Sequence, residues 1–307
     1  MRAIDLFAGW GGFTLGAEAA GVDVVWAGNH WPLAVEAHQK NHPTTTHVCQ
    51  DLRQADWRKV PEYELLLASP ACQGHSQASQ PQRKADGSVA RHHDALRATA
   101  WAVVDCADVT EPRAIVVENV LDFRRWRLYE TWCDALRRLG YSLQEQVLTA
   151  SYFGVPQRRQ RLFLVATREA TELELERQPQ ESPIGPHLEW DTGDWRPIKG
   201  ASDRVKERIK AGRARCGDYF ITQHVTGHKG IALDEPIRTI TTQDQFALVD
   251  GDQYRPLTIR ETARAMGFPD SYAWPTDARR RDVIKGLGNA VCPPVAQALI
   301  TQVAGLA

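Results

Sequence analysis

The stretch Asp5-Leu-Phe-Ala-Gly-Trp-Gly-Gly-Phe-Thr-Leu-Gly16 decides how the chain folds. It reads as a strand running into a glycine loop and then a helix, a geometry that lets a ligand approach backbone amides at a helix N-terminus. Taken alone, a tight strand-to-helix turn explains the glycines equally well. The spacing still separates ligands. The dinucleotide pattern G-x-G-x-x-G needs glycine where Thr14 stands and, about 20 residues on, an acidic residue where Asn29 and His30 stand. A nicotinamide cofactor is therefore disfavoured.

Working outward, the first two thirds of the chain alternate short β-branched apolar runs with helical stretches, as a parallel sheet wrapped by helices does. The clearest strands are expected at 2–7, 22–27, 64–68, 114–117 and 161–166, and helices at 33–40, 95–110 and 129–139. Gly140, after Arg137 and Arg138, reads as a helix stop with basic residues at the negative end of the dipole. From about Glu169 the pattern dissolves into polar, proline-containing sequence, a candidate second domain. Residues 236–249 read as strand and turn, and 284–303 as helical, returning to the first lobe.

The composition is that of an ordinary globular protein: 307 residues, 43% hydrophobic and 24% charged. No run approaches the roughly 18 consecutive apolar residues of a membrane helix, and the start lacks the form of a signal peptide. The six cysteines, Cys49, Cys72, Cys106, Cys133, Cys216 and Cys292, form no CxxC pair and are expected as free thiols without a metal. A formal net charge of -1 argues against a protein that coats nucleic acid. Positive charge is nonetheless concentrated in Lys199, Arg204, Lys206, Arg208, Lys210, Arg213 and Arg215, against Asp203 and Glu207; a solvated helix would show the same pattern.

Three further stretches carry chemistry. Ser69-Pro-Ala-Cys-Gln-Gly-His-Ser76 places Cys72 directly after a predicted strand, where open parallel sheets build active sites and a thiolate can attack carbon. An isolated cysteine is otherwise a small core residue. Arg113-Ala-Ile-Val-Val-Glu-Asn-Val120 ends an apolar strand on Glu118 and Asn119 at the same sheet edge; a buried glutamate there suits a proton donor, a surface strand cap being the plain alternative. Gln157, Arg159 and Arg161 fall on alternating positions of one expected strand, projecting from a single face toward solvent, an anion or a base edge.

In this combination the sequence resembles the cytosine C5 DNA methyltransferase family, in family order over nearly the whole chain. The family's opening motif is similar to residues 5–16, its Pro-Cys-Gln loop to Pro70 through Ser76, and its Glu-Asn-Val to Glu118-Asn119-Val120. Its Gln-x-Arg-x-Arg resembles Gln157, Arg159 and Arg161. Its Arg-x-Leu-Thr-x-Arg-Glu resembles Arg255, Leu257, Thr258, Arg260 and Glu261, followed by Gly267-Phe268-Pro269, and its late Gly-Asn-Ala-Val resembles Gly288 through Val291. His30 stands where the family usually has an acidic residue on the cofactor ribose; a neutral imidazole can still hydrogen-bond a hydroxyl. Ala71 replaces the proline before the cysteine, and His75 the usual aromatic.

The resemblance implies an α/β fold: a doubly wound, mostly parallel, Rossmann-like methyltransferase sheet with a second, smaller target-recognition domain. It implies a catalytic and cofactor-binding domain at 1–168, target recognition at 169–250 and a C-terminal segment at 251–307 returning to the first. It implies transfer of a methyl group from S-adenosyl-L-methionine to C5 of a flipped cytosine in a short DNA motif, through a Cys72 adduct. Glu118, Arg159 and Arg161 would assist. Asp5, Phe7, Ala8, Gly9, Gly11, Gly12, His30, Trp31, Asp51, Leu52, Pro70, Asn289 and Ala290 would contact the cofactor. Gln73, Ser76, Asn119, Gln157, Arg204 and Lys206 would contact the substrate, and the loop after Cys72, including Gln80, would close over the extruded base. The implied partners are double-stranded DNA and a cognate restriction endonuclease acting separately, for a cytoplasmic monomer with no membrane contact. Two alternatives stay open: the same chemistry on tRNA cytosine or with a modified donor, and a non-catalytic DNA-binding relative.

Overall fold

The computed structural model describes residues 1–71 and 98–305. Cys72, Gln73, Ser76 and Gln80, and the start of the helix expected at 95–110, lie outside the described residues. The chain divides into two compact units, one of residues 1–148, 160–176 and 295–307, the other of 149–159 and 177–294.

In chain order the first unit contains β1 (Arg2–Leu6), α1 (Gly12–Ala19), β2 (Asp23–Asn29), α2 (Pro32–Asn41), β3 (Thr46–Cys49), β4 (Leu65–Ala68), α3 (Trp101–Thr110), β5 (Ala114–Asn119), α4 (Tyr129–Arg138) and β6 (Ser142–Thr149). The two-residue β7 (Gln157–Arg158) belongs to the second unit, and β8 (Gln160–Thr167) returns to the first. The strands form one sheet in the order β3-β2-β1-β4-β5-β8-β6. Its first five are parallel, and β8 runs antiparallel to β5.

Every residue of β4 and β5 is buried, which is why both read as continuous apolar runs rather than alternating ones. β3 and β6, which the sequence reading lacks, lie at the two sheet edges and expose part of every turn of their pleat. Helix α4 buries Tyr129, Trp132, Cys133 and Leu136, the three-and-four spacing of an amphipathic helix. It stops where expected: the Gly140 N–H donates to the Arg137 carbonyl, at a φ of 89°. The core beneath is aromatic, with Trp26, Trp57, Phe123 and Trp132 buried, and the Trp132 indole N–H donates to the Ala100 carbonyl at 2.9 Å.

The second unit holds β9 (Arg196–Pro197), α5 (Asp203–Cys216), β10 (Tyr219–Gln223), β11 (Ile237–Arg238), β12 (Phe246–Asp250), β13 (Gln253–Pro256), α6 (Ile259–Arg264) and α7 (Arg280–Asn289). An antiparallel sheet β10-β12-β13-β9 packs α5 over a small core of Ile209, Phe220 and Val249. The final helix, α8 (Pro293–Gly305), buries Val295, Ala296, Leu299, Ile300 and Val303. The helical ending expected at 284–303 is thus corrected to two helices: Pro293 and Pro294 offer no amide hydrogen to continue the α7 ladder. Of the expected C-terminal segment 251–307, residues 251–294 group with the second unit and 295–307 with the first. Arg280–Gly305 reaches a mean hydropathy of 1.2 in one window, but 72% of that window is buried inside the protein.

Candidate active site

The strand order reverses between β1 and β4, and ligands of open α/β sheets bind beyond the carboxyl ends of the strands at such a switch point. There Leu6 is in register with Ala68, the Ser69 N–H donates to the Leu6 carbonyl, and the Ser69 hydroxyl donates to the Phe7 carbonyl at 3.3 Å. The chain leaves β1 through Phe7, a non-glycine at φ 63°, and turns through Gly9 and Gly11 at φ 55° and 72°. Ala8 donates to the Gly28 carbonyl at 3.2 Å and Gly11 to the Ala8 carbonyl at 2.8 Å, so Ala8 ties the loop to β2. Gly11 is the N-cap of α1 and no side chain caps the helix; Gly12 opens its first turn. A side chain at Gly11 would also put its Cβ 2.9 Å from His42 Nε2, so both its dihedral and its surroundings require glycine.

Asp5 is fully buried beneath this loop and accepts from the Thr14 hydroxyl at 2.8 Å; burial pushes its carboxyl up to about 7. At the end of β2, the Asn29 side chain accepts from the Trp31 N–H at 2.9 Å, and the Trp31 ring stands 5.1 Å from that of Trp10. His30 is exposed. The Asp51 carboxylate accepts from Arg53 Nε at 3.0 Å and Nη2 at 2.6 Å; these bonds, with the nearby His30, hold it below the ordinary carboxylate range. The Leu52 side chain lies in the core, so only its backbone is available to a ligand.

At the end of β5, Glu118 and Asn119 are both buried. Arg161 Nε stands 3.1 Å from Glu118 Oε1 in an ion pair, and Asn119 Nδ2 donates to the Pro70 carbonyl at 3.1 Å. The sheet thereby brings the expected carboxylate and one expected arginine together, and ties the residue two before Cys72 to the same strand end.

The other half of the expected Gln157-to-Arg161 face is corrected. The run is not one strand: Gln157 donates to the Val155 carbonyl at 2.7 Å and Arg159 to the Gln157 carbonyl at 2.8 Å, two successive three-residue turns that break the ladder. Gln157 is buried in the second unit, donating to the Ala265 carbonyl at 2.8 Å and accepting from the Ile240 N–H at 2.7 Å. Arg159, also buried there, donates to the carbonyls of Ile240, Gly288 and Ala290. Asn289 and Ala290 form the end and cap of α7 in that unit, and Arg204 and Lys206 are exposed on α5.

Two pairings go beyond the sequence reading, which names Arg255 and Glu261 only as parts of one motif. Arg255 and Glu261 form a fully buried ion pair, whose Thr258-x-x-Glu261 capping signature is present in the sequence. Thr14, His38 and His47 hydrogen-bond in series behind the glycine loop, joined by no periodicity that a sequence displays.

The residues of the loop suit a particular ligand. Residues 5–16 contain no lysine or arginine; the uncapped amides at the start of α1 can meet a ligand's carboxylate, and the Trp31 ring offers an aromatic face. A doubly wound sheet with such a loop at its switch point is the plan of a Rossmann-like methyltransferase. More narrowly, the chain belongs to the C-5 cytosine-specific DNA methylase family, which it matches over residues 1–212 and 194–305. It is a DNA cytosine-5 methyltransferase that uses S-adenosyl-L-methionine. Among its relatives, the Type II methyltransferase M.NlaX of Neisseria lactamica is 31% identical, covering 98% of this chain and 96% of its own. The Entamoeba histolytica methyltransferase EhMeth shares the fold at a TM-score of 0.72 and 16% identity, covering 100% of this chain and 99% of its own. The S. pombe Dnmt2 methyltransferase does so at 0.68 and 20%, with the same coverage.

Proposed function

We propose that the chain methylates cytosine within a short motif of double-stranded DNA through a covalent adduct between Cys72 and carbon 6 of a base flipped out of the helix. Carbon 5 of cytosine is a weak nucleophile. Addition of the thiolate to carbon 6 makes an enamine whose carbon 5 can accept the methyl group; loss of the carbon 5 proton then expels the thiolate and restores the ring. The cofactor supplies an electrophilic methyl on a sulfonium. A free thiol with a pKa near ~8.5 is a few per cent ionised at neutral pH, so a neighbouring cation is needed, and we assign that part to Arg161.

The observation that carries the proposal is the pairing of Glu118 with Arg161 at 3.1 Å, on a strand whose next residue holds the Pro70 carbonyl. In this reading Glu118, carrying a proton or sharing one with N3, offsets the negative charge that addition pushes into the ring, and Arg161 holds the O2 edge. Arg159 is given a positioning part, because its guanidinium is spent on three carbonyls around Gly288 and Ala290. Cofactor contacts are assigned to Phe7, Gly9, Gly11, Trp31, His30 and Asp51, and phosphate contacts to Arg204 and Lys206 within a target-recognition region at 169–250. The Type II designation of its relatives supports a modification role beside a separate restriction endonuclease; we assign it a monomeric, cytoplasmic existence.

Incubation with methyl-labelled S-adenosylmethionine and mixed-sequence DNA, read by nucleoside mass spectrometry and conversion sequencing, tests this. Wild type yields 5-methylcytosine at one short motif and Cys72→Ser yields none. Equal activity in the variant, or label that survives DNase and is lost with RNase, overturns the proposal.

A further inference from the structure

Behind the glycine loop runs a series of polar side chains that the chemistry above leaves unused. Asp5 Oδ2 lies 2.8 Å from Thr14 Oγ1, which lies 3.0 Å from His38 Nε2, and His38 Nδ1 lies 2.8 Å from His47 Nε2. Asp5, Thr14 and His38 are buried, while His47, on the edge strand β3, is partly exposed. The series passes under Gly11, where a Cβ would stand 3.1 Å from the His38 ring.

A hydroxyl donates one hydrogen, and a neutral imidazole donates from one nitrogen and accepts at the other, so the direction of one bond fixes all three. With Asp5 ionised, Thr14 donates to Oδ2 and accepts from His38 Nε2–H, and His38 Nδ1 accepts from His47 Nε2–H. With Asp5 protonated, every bond reverses: Asp5 donates to Thr14, Thr14 to His38 Nε2, and His38 Nδ1–H to His47. Passing from the second state to the first moves one hydrogen across each bond, and one proton leaves from the partly exposed His47 ring. Burial lowers the affinity of His38 and His47 for an extra proton, so neither ring retains it.

His42 flanks the series, its ring 4.5 Å from that of His38, and opposes an extra proton on both His38 and His47; its Nδ1 lies 2.9 Å from Glu18, and Lys40 pairs with Glu36 at 2.8 Å. The second oxygen of the buried carboxyl, Asp5 Oδ1, accepts no hydrogen bond among the described residues. An ionised Asp5 is therefore under-compensated until positive charge arrives nearby. The cofactor is a sulfonium cation; its demethylated product is a thioether, neutral at sulfur.

We propose that Asp5, Thr14, His38 and His47 form a proton relay through which the carboxyl ionises when the sulfonium cofactor binds and regains its proton when the thioether replaces it. The relay makes the loop selective for cofactor over product. This rests on the cofactor occupying the loop after β1. Asp5, Thr14, His38 and His47 act as positioning residues, and the readout is proton exchange rather than turnover.

The test is titration calorimetry of the full-length protein with S-adenosylmethionine and S-adenosylhomocysteine near pH 7, in buffers of different ionisation enthalpy. Wild type is expected to release a substantial fraction of one proton with the cofactor and clearly less with the product. Thr14→Val is expected to equalise the two and to cut the preference for cofactor by about tenfold, the equivalent of one unit of carboxyl pKa. Tight binding of both ligands to wild type with equal proton release overturns the relay and leaves the cofactor site standing. Unequal release persisting undiminished in Thr14→Val overturns the coupling of Asp5 to the series through the Thr14 hydroxyl. No binding of either ligand overturns both readings.

Discussion

Each unit buries a glutamate against an arginine, and the two pairs are built to opposite ends. In the second unit Glu261 is saturated: Oε1 accepts from Arg255 Nη2 and the Glu189 N–H, and Oε2 from Arg255 Nη1 and the Thr258 N–H, all at 2.7 to 2.8 Å. Arg255 also donates to the Pro256 and Glu189 carbonyls and lies over the Trp195 ring. Burial pushes Glu261 upward, but the Arg255 bonds and the two amides outweigh it and hold the carboxyl below its ordinary range. In the first unit Glu118 pairs with Arg161 at 3.1 Å at the carboxyl end of β5, and the Arg161 side chain keeps 15% of its surface open where that of Arg255 keeps none. A pair sealed on both sides holds structure together; one left partly open at a strand end can meet a ligand.

That contrast can be broken by exchanging the consequences of mutation. Glu118→Gln is expected to cut single-turnover methyl transfer by on the order of 10²- to 10⁴-fold, with a smaller loss of stability than Glu261→Gln because Arg161 stays partly open to solvent. Activity near wild type would make Glu118 as structural as Glu261. Glu261→Gln is expected to do the reverse, lowering stability by about 3–5 kcal/mol because Arg255 is left buried and uncompensated, with the rate per folded molecule unchanged when measured well below the melting transition. Denaturant titration beside active-site counting checks this.

A smaller effect sharpens the comparison through pH. Glu261, depressed in the folded state, contributes stability that is full above its unfolded pKa and is lost as acid protonates the folded form. Asp5, raised to about 7, has the opposite sign. Between roughly pH 4 and 7 the unfolded chain is ionised there and the folded chain is not, so stability falls as pH rises, by at most about 1.4 kcal/mol per unit. Chemical denaturation across pH 4 to 8 should show Asp5→Asn removing the decline and Glu261→Gln flattening the acid limb. An unchanged slope in Asp5→Asn would place that carboxyl's titration elsewhere.

The sequence displays most clearly what is apolar on both faces. β1, β2, β4, β5 and β8 stand within two or three residues of their expected limits because a strand inside the sheet, covered on both faces, is a largely hydrophobic run. β3 and β6 escape because an edge strand keeps polar residues. Glu118 and Arg161 were legible as polar ends of apolar strands. Alternation alone misplaced Gln157 and Arg159, since two tight turns reset the pleat. Thr14, His38 and His47 meet only once α1, α2 and β3 have packed, and pairing of that kind leaves no spacing to read.

The discontinuity of the first unit carries a consequence for synthesis. Its sheet is laid down by residue 167, yet Val295, Ala296, Leu299, Ile300 and Val303, which belong to that unit, are translated after the whole of 177–294. A ribosome must therefore finish the inserted unit before the earlier one can be completed. A message cut short ahead of these codons leaves the first unit without the five buried apolar side chains of its last helix.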